Sequence, residues 1–297
     1  MVKGKFAFSH LIADFIKIVV LLAIAAVCAL PMWHVIMGSF TDPVTLSANN
    51  SFLFSPINGK FSLEGWKIVF RNNLILKGYR NTIFYVLSST VLGVFLSMIG
   101  AYVLSRKDVF WKIPLIVFFV IPMFISGGLI PFYMVVYKLG MTNTIWAMIV
   151  PGCCNVLYII LIRNGIATIP EAVIEAAEID GAKHLTILVR IVLPLSVAYI
   201  AVVAMFSVIG QWNSWLNASI FLSKQYENLY PLQLIIREII VKGNTSGVTA
   251  GSGIKVDYYK ESIQLVTIVA SSLPLIIIYP FAQKYFEKAV IIGGIKG

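Results

Sequence analysis

Six long stretches of the chain contain no Asp, Glu, Lys or Arg, and this pattern limits the fold more than any other feature of the sequence. Each stretch reaches the roughly twenty residues that an α-helix needs to cross about 30 Å of hydrocarbon. A membrane β-barrel is excluded, because its strands alternate polar and apolar residues over about ten positions. The stretches are 18–37, 82–104, 113–137, 142–162, 191–223 and 262–283. The sequence therefore predicts an all-α, polytopic membrane protein with six transmembrane helices.

The composition agrees with lipid as the main solvent of this protein. Apolar residues make up 59% of the chain and charged residues 12%, against about 45–50% and about 25% in ordinary globular proteins. The formal charge is +10, but no basic run is interleaved with aromatic residues, so we expect contact with anionic lipids and none with nucleic acid. The three cysteines lie in apolar stretches without metal-ligand spacing, so no metal site is predicted.

The short connection between the second and third stretches indicates the orientation in the membrane. It carries Arg106, Lys107 and Lys112 within residues 105–112. Positive charge in short loops marks the cytoplasmic side. An even number of spans places both termini on one side. We therefore predict a multi-pass protein of the cytoplasmic membrane with both termini in the cytoplasm.

Small residues recur every fourth position along the second stretch. On a helix they form one narrow stripe, which lets a neighbouring backbone approach closely. The stripe predicts helix packing without a functional role. Its members are Ser89, Gly93, Ser97, Ala101 and Ser105.

The third stretch is interrupted by helix-breaking residues, among them Pro122, Gly127, Gly128 and Pro131. Irregular backbone at membrane depth is tolerated only where protein or a wet cavity satisfies it. The sequence predicts that this region faces the protein interior and lines a pathway. A simple kink, or a helix end with a re-entrant turn, remains an equal alternative.

The segment 163–194, between the fourth and fifth stretches, predicts a helix–turn–helix on the cytoplasmic side. Pro170 suits the first position of a helix, and Glu171 follows in the first turn, where the helix dipole favours acids. Asp180 and Gly181 form a turn signal, with the glycine free to adopt positive φ. A second short helix is predicted over about 185–192.

The surface of this loop combines small and acidic side chains. Ala172, Ala176 and Ala177 form a small face, and four of the chain's 13 acids lie in the loop. Such a surface suits docking into a groove of a partner protein with basic groups. A solvated amphipathic loop would tolerate the same pattern, so the residues alone leave both interpretations open.

Specific residues of the loop resemble a known signature. Glu175-Ala-Ala, Asp180-Gly-Ala182 and Ile191-Val-Leu-Pro194-Leu are similar to the EAA loop of binding-protein-dependent ABC importer permeases. Further similarity lies at 127–131, 139–140, 143–146, 212–215 and 283–286. Together these segments resemble the maltose-type carbohydrate uptake permeases, especially the smaller, MalG-like partner. Within that group the chain is most similar to permeases that import oligosaccharides. At Ala198 relatives often have a second proline, which puts the bend entering the fifth span in doubt. The resemblance assigns ATPase docking to Glu175, Ala176, Ala177, Glu178, Asp180, Gly181, Ala182, Ile191 and Pro194.

This resemblance implies a type I ABC importer permease fold that works by alternating access. It implies a second homologous permease in a heterodimer, two ABC ATPase subunits and an extracellular solute-binding protein. The chain has no Gly-x4-Gly-Lys-Ser/Thr phosphate loop, so we expect no cofactor here, with ATP and Mg²⁺ bound by the ATPases and no enzymatic activity in this subunit. The expected divisions are 1–76 (first helix and outer loop), 77–284 (transmembrane domain) and 285–297 (cytoplasmic tail).

A second group of residues has the chemistry of a sugar path. Amide side chains and aromatic rings suit sugar hydroxyls and C–H faces, although an interfacial aromatic belt at a helix end is an equally simple interpretation. The resemblance also places the transmembrane sugar site mainly on the partner permease. The loop 242–255 is a candidate contact for the binding protein, and the tail 289–297 for the ATPase. The substrate-path candidates are Gly127, Gly128, Gln211, Trp212, Asn213, Trp215 and Asn217.

Two other classes of function compete with this interpretation. A secondary transporter coupled to an ion gradient usually has carboxylates inside its spans, and none of the six stretches contains Asp or Glu. His34 is expected to be an interfacial side chain rather than a proton relay. A membrane scaffold with a coincidental EAA-like loop is the second rival, and an ABC importer of a non-sugar solute is a variant of the main interpretation.

Overall fold

A computed structural model describes residues 3–48, 52–56, 61–106, 108–241 and 256–294, and all regular secondary structure within them is helical. They include a π-helical turn at Leu188–Val192 and a 3₁₀ helix at Lys224–Leu229. The α-helices are α1 Lys3–Ser39, α2 Pro43–Ser47, α3 Glu64–Arg71, α4 Asn73–Ser105, α5 Lys112–Phe124, α6 Leu129–Lys138, α7 Trp146–Ile149, α8 Val156–Ile166, α9 Glu171–Ile179, α10 His184–Ile187, α11 Leu193–Leu195, α12 Val197–Trp212, α13 Trp215–Phe221, α14 Leu232–Val241 and α15 Val256–Gly294.

Among the residues that the structure describes, three helices are individually long and apolar enough to cross a membrane. They are Asp14–Ser39 in α1, Asn73–Ser105 and Tyr259–Phe281 in α15. Three further pairs of helices reach that length only together, across sharp bends, which brings the number of spans to as many as six. The predicted helices in the first, second and sixth stretches are confirmed.

The third stretch forms two helices in place of one. Helices α5 and α6 are bent by 118° across the break between them. Gly128 lies in this break with φ 83° and ψ −179°, a conformation that is essentially restricted to glycine. The predicted interruption is present, and it is far sharper than a kink.

The fourth and fifth stretches each contain breaks between shorter helices. In 142–162 only four residues form α7, and α8 begins after Asn155, whose side-chain oxygen accepts a hydrogen bond from the Leu157 N–H at 2.9 Å. The fifth stretch breaks at Ser196, with an 80° bend, and again after Trp212. Apolar composition indicates a membrane or a protein interior, but it does not require that the helix be unbroken. The bend at Ser196 forms although position 198 carries alanine.

The small-residue stripe on α4 packs as predicted. Ser89, Gly93, Ser97 and Ala101 are buried. A Cβ atom at Gly93 would lie 3.2 Å from the Cys153 carbonyl oxygen, so glycine allows the segment between α7 and α8 to approach the helix.

The chain divides into two compact units, Met1–Asn73 with Ile239–Ser271, and Leu74–Glu238 with Ser272–Gly297. In the first unit the His34 Nδ1 accepts a hydrogen bond from the Leu53 N–H at 3.1 Å, so this imidazole has a structural partner. The second unit contains the predicted helix–turn–helix. The predicted loop contact at 242–255 lies outside the described residues.

Candidate functional site

Helix α9 and the turn after it are built from local signals in the sequence. The helix begins at Glu171, one residue later than predicted, because Pro170 is extended with ψ 133° and serves as the N-cap. Glu171 lies in the first turn, where its charge interacts favourably with the helix dipole. The second predicted helix is present as α10 and the π-helical turn that continues it.

The C-terminus of α9 is closed by a Schellman motif. The Ala182 N–H donates to the Ala177 carbonyl at 2.9 Å, and the Gly181 N–H donates to the Glu178 carbonyl at 3.0 Å. Gly181 has φ 77°, the left-handed conformation that this motif requires at that position. The predicted turn glycine is therefore confirmed in its conformation.

The two faces of α9 have different surroundings. Ile174 and Ala177 pack against the buried cluster that includes Ile162 and Ile187, and Ala182 does the same after the turn. The opposite face is exposed.

The nine predicted docking residues fall into two sets. Ala177, Ala182 and Ile191 are half-buried, whereas the other six are exposed. The exposed members are Glu175, Ala176, Glu178, Asp180, Gly181 and Pro194. We infer that the half-buried members hold the loop in shape, and that the exposed ones are available to a partner.

Two large apolar side chains on this loop were missed by the sequence reasoning. Ile179 is 86% exposed and Leu185 is 72% exposed, on either side of the turn at Gly181. Both lie outside the six apolar stretches, in a segment rich in acids. Exposed apolar side chains in a polar segment indicate a protein-binding surface more specifically than the same side chains in a membrane span. Their position next to the Asp180-Gly181 turn signal would have revealed them.

A second missed feature fixes α9 to the end of α4. Arg106 Nη1 donates to Glu178 Oε1 at 2.7 Å, while Nε and Nη2 donate to the two carboxylate oxygens of Asp108 at 2.8 and 2.9 Å. The hydrogen bonds from Arg106 lower the pKa of Asp108 to about 2, so the ion pair persists in acid in which a free aspartate would be protonated. The signal in the sequence is the acid Asp108 two residues after Arg106, in the short loop whose basic residues alone indicate the orientation.

The substrate-path candidates are divided by the structure. Trp212 is only 3% exposed, and Gln211 Nε2 donates to the Met148 carbonyl at 2.7 Å. Asn213 is exposed, and its Nδ2 donates to the Ile209 carbonyl at 2.9 Å. The Arg237 guanidinium lies 4.1 Å from the centre of the Trp215 ring, and Asn217 is half-buried.

The two glycines among these candidates have different surroundings. Gly127 and Gly128 are exposed, and a Cβ atom at Gly128 would meet nothing within 4 Å. By contrast, four of the other candidates have contacts within the protein: Gln211, Trp212, Asn213 and Trp215. Among the described residues, no group of three or more His, Cys, Asp or Glu side chains is placed to hold a metal ion.

Comparison with known proteins identifies the family. The family described as "Binding-protein-dependent transport system inner membrane component" matches residues 89–292, more than half of the chain. The chain belongs to this family. It is a multi-pass ABC importer permease, and it is a non-catalytic subunit. Family membership rejects the ion-coupled carrier and the membrane scaffold.

The permease has curated relatives that match over nearly their whole length. The polygalacturonan/rhamnogalacturonan transport system permease protein YtcP of Bacillus subtilis is 34% identical over 93% of this chain and 96% of the relative. Protein LplC of the same organism is 32% identical over 96% and 95%.

Solved structures match the fold of the permease. A chain in the crystal structure of a bacterial ABC transporter involved in the import of the acidic polysaccharide alginate has a TM-score of 0.84 and 30% identity over 92% of this chain and 96% of that chain. A chain in the alginate transporter in complex with alginate pentasaccharide-bound periplasmic protein has a TM-score of 0.58 and 16% identity, over 91% of this chain and 93% of that chain, which shows the fold alone. The predicted type I ABC importer permease fold is confirmed.

Proposed function

We propose that this permease imports an oligosaccharide, in a heterodimer with a second, homologous permease. The named relatives support a carbohydrate, because their names mention polygalacturonan, rhamnogalacturonan and alginate. Two ABC ATPases, which bind ATP and Mg²⁺, supply the energy, and an extracellular solute-binding protein delivers the sugar. The permeases then alternate between inward-facing and outward-facing states.

The observation that carries the proposal is the exposed face around the Gly181 turn. An apolar side chain stands on each side of the turn, and Glu175, Ala176 and Asp180 surround them with small and acidic groups. Burial of one large apolar side chain contributes about 1.5–3 kcal/mol, more than an exposed ion pair at about 0–1 kcal/mol. Apolar contacts with Ile179 and Leu185 therefore dominate docking to the ATPase, and the acids orient it.

The orientation follows from the same assignment. If α9 meets an ATPase, the 163–194 loop is cytoplasmic, and so is the loop that contains Arg106. An even number of spans then places both termini in the cytoplasm, in the cytoplasmic membrane. The divisions 1–76, 77–284 and 285–297 remain our proposal for the domains, with 285–297 as a cytoplasmic tail whose residues 289–297 reach the ATPase.

The contribution of this subunit to the sugar path is narrower than the sequence alone suggested. Trp212 and Gln211 have contacts within the protein that support a structural role. Gly127, Gly128 and Asn213 are exposed and remain candidates for the path. Trp215 and Asn217 lie on α13, and we assign them to the wall of the sugar path.

Site-specific cross-linking of the assembled importer tests the docking proposal. In a background without Cys28, Cys153 and Cys154, Ile179→Cys is expected to cross-link to a cysteine in the ATPase, with a yield that changes when ATP is added. Lys138→Cys, at the end of α6, is the matched control and is expected to give no such product. Labelling of Ile179→Cys by a membrane-impermeant reagent from outside intact cells would overturn the orientation and the docking role together.

A further inference from the structure

We call the segment 163–194 the docking loop. The end of α4 that is remote from it borders a pocket of about 520 Å³. Lys77, Arg80, Asn81 and Phe84 of α4 line it, opposite the backbone of 228–229. At 1.5 Å per residue, Lys77 lies about 42 Å along the helix from Ser105, roughly the full thickness of a membrane. With the docking loop in the cytoplasm, this pocket is on the outer side. Its volume is in the range of small-molecule sites, about 300–1,000 Å³.

The wall of the pocket is held by four hydrogen bonds, two of them buried and two partly buried. Asn81 Nδ2 donates to the carbonyls of Asn228 and Tyr230 at 2.7 and 3.1 Å, and the Tyr85 hydroxyl donates to the Leu229 carbonyl at 2.9 Å. The Leu232 N–H donates to the Thr82 hydroxyl at 2.8 Å. These bonds fix the segment 228–232 against α4 before any ligand arrives. A preformed wall lowers the entropy cost of binding.

The charge of the pocket is unbalanced. Lys77 and Arg80 are exposed cations on its rim, and neither forms an ion pair with another residue in the part of the chain that the structure describes. Among the described residues, those that line the pocket include no Asp or Glu. An arginine fork binds a carboxylate through two parallel hydrogen bonds, and a neighbouring ammonium adds a further charge-assisted contact.

We propose that this pocket binds the carboxylate of a uronate unit, so that the oligosaccharide imported by this permease is an acidic one. Arg80 and Lys77 bind the carboxylate as the sugar passes from the binding protein into the permease. The half-exposed Phe84 ring packs against a sugar C–H face, and Asn228, an exposed residue that lines the pocket, supplies an amide for hydroxyls. This inference rests on the proposed import of oligosaccharides and assigns the chemical class of the substrate.

The combination of groups favours a sugar over other anions. A lipid phosphate needs cations but no aromatic face or amide, and an acidic protein surface would be flat rather than inserted into a pocket. The pocket presents cations, an amide and an aromatic ring within one concave site. Recognition of hydroxyls, C–H faces and a carboxylate requires all three kinds of group.

Uptake by the complete importer tests the proposal. The complex, with its ATPases and binding protein, is placed in vesicles of phosphatidylcholine alone and supplied with labelled trigalacturonate or with its fully methyl-esterified, uncharged form. Lys77→Gln with Arg80→Gln is expected to lower trigalacturonate uptake about tenfold or more, because charge-assisted hydrogen bonds are lost. The methyl ester is expected to be transported equally by wild type and variant.

Matched variants separate charge from folding. Lys138→Gln removes an exposed cation outside the pocket and is expected to leave both rates unchanged. The charge-preserving pair Lys77→Arg with Arg80→Lys is expected to restore most trigalacturonate uptake. Co-purification of all subunits in wild-type proportions shows that each variant is assembled.

Several results would overturn the proposal. An equal loss of uptake for trigalacturonate and its methyl ester would mean that the pocket contacts the binding protein. A loss of uptake that appears only when anionic lipid is added would mean that the pocket binds lipid headgroups. Wild-type uptake of neutral maltotriose but not of trigalacturonate would reject the acidic substrate and leave oligosaccharide import standing. Absence of uptake for every oligosaccharide tested would reject the proposed function as well.

Discussion

The two ends of α4 hold neighbouring segments by different kinds of contact. At the pocket end, Asn81, Thr82 and Tyr85 are buried and hydrogen-bond the backbone of 228–232. At the other end, Arg106 holds α9 through Glu178, whose side chain is 42% exposed. The contact at the pocket end is made by neutral groups, whereas the contact at the other end is an ion pair between a largely buried arginine, 17% exposed, and a glutamate that is open to solvent.

This difference sets how easily each contact opens. A buried carbonyl that loses its donor costs about 1–3 kcal/mol, whereas an exposed ion pair contributes about 0–1 kcal/mol because water replaces the partner. We infer that the ion pair by itself adds little to the hold on α9, and that Ile174 and Ala177, which pack on the buried cluster that includes Leu104 of α4, supply most of it. A loop packed onto α4 in this way can pass a movement of the ATPase on to that helix.

Asn81→Leu is expected to have the largest effect, because it removes both donors from the carbonyls of Asn228 and Tyr230. We expect a loss of about 2–4 kcal/mol in stability, measured as a lower melting temperature of the purified complex. Asn228→Ala keeps the backbone carbonyl and is the control, with an expected change within about 0.5 kcal/mol. Equal melting temperatures for Asn81→Leu and wild type would show that the packing of 228–232 against α4 does not depend on these bonds.

Gly181→Val tests the shape of the docking loop. A Cβ atom there would meet nothing within 4 Å, so the cost is the strained positive φ alone, about 1–3 kcal/mol. We expect normal membrane insertion but sugar uptake reduced about tenfold, with ATP hydrolysis no longer coupled to transport. Gly181→Asn tolerates this φ and is expected to keep most uptake. Similar uptake by the valine and asparagine variants would contradict the role of the turn.

Ile179→Ser tests whether apolar contacts dominate docking. The loss of a side chain buried on docking is expected to weaken ATPase binding about tenfold, measured by titration of the ATPase onto the solubilised permease pair. Glu175→Ala is the comparison and is expected to weaken binding less than about fivefold. Complete loss of the complex with Glu175→Ala alone would mean that charge, and not apolar contact, dominates.

The Arg106–Glu178 pair is expected to show the smallest effect. A double-mutant cycle with Arg106→Gln and Glu178→Gln is expected to give a coupling energy of about 0.2–1 kcal/mol in thermal stability. The value should fall as salt is raised, since exposed charges are screened. A coupling above about 2 kcal/mol, insensitive to salt, would show that this ion pair is as strong as the hydrogen bonds at the pocket end.

The docking loop could be predicted from the sequence because its signals are local. Pro170, Glu171 and the Asp180-Gly181 turn act within a few residues of one another, so their chemistry sets the helix limits without help from the rest of the fold. The pocket at Arg80 could not be predicted from the sequence. Its wall depends on hydrogen bonds from Asn81 to Asn228 and Tyr230, which lie 147 and 149 residues further along the chain.

The broken helices show the same limit. Hydropathy found the apolar stretches, but Asn155 and Gln211 terminate or stabilise breaks inside them through contacts that hydropathy does not record. Arg106 was visible as part of a basic loop, and its partner Glu178 was visible as an acid of the docking loop. Their pairing depends on how α4 and α9 pack.

The sequence by itself determined that the protein belongs in a membrane, is all-α and carries an EAA-like loop, because hydropathy, short-range capping and turn chemistry act between near neighbours. Only the tertiary structure decided which residues of that loop are exposed, where the helices break and which side chains line the pocket at Arg80. Those outcomes depend on which distant side chains meet, and burial and hydrogen bonding between them are properties of the packed chain.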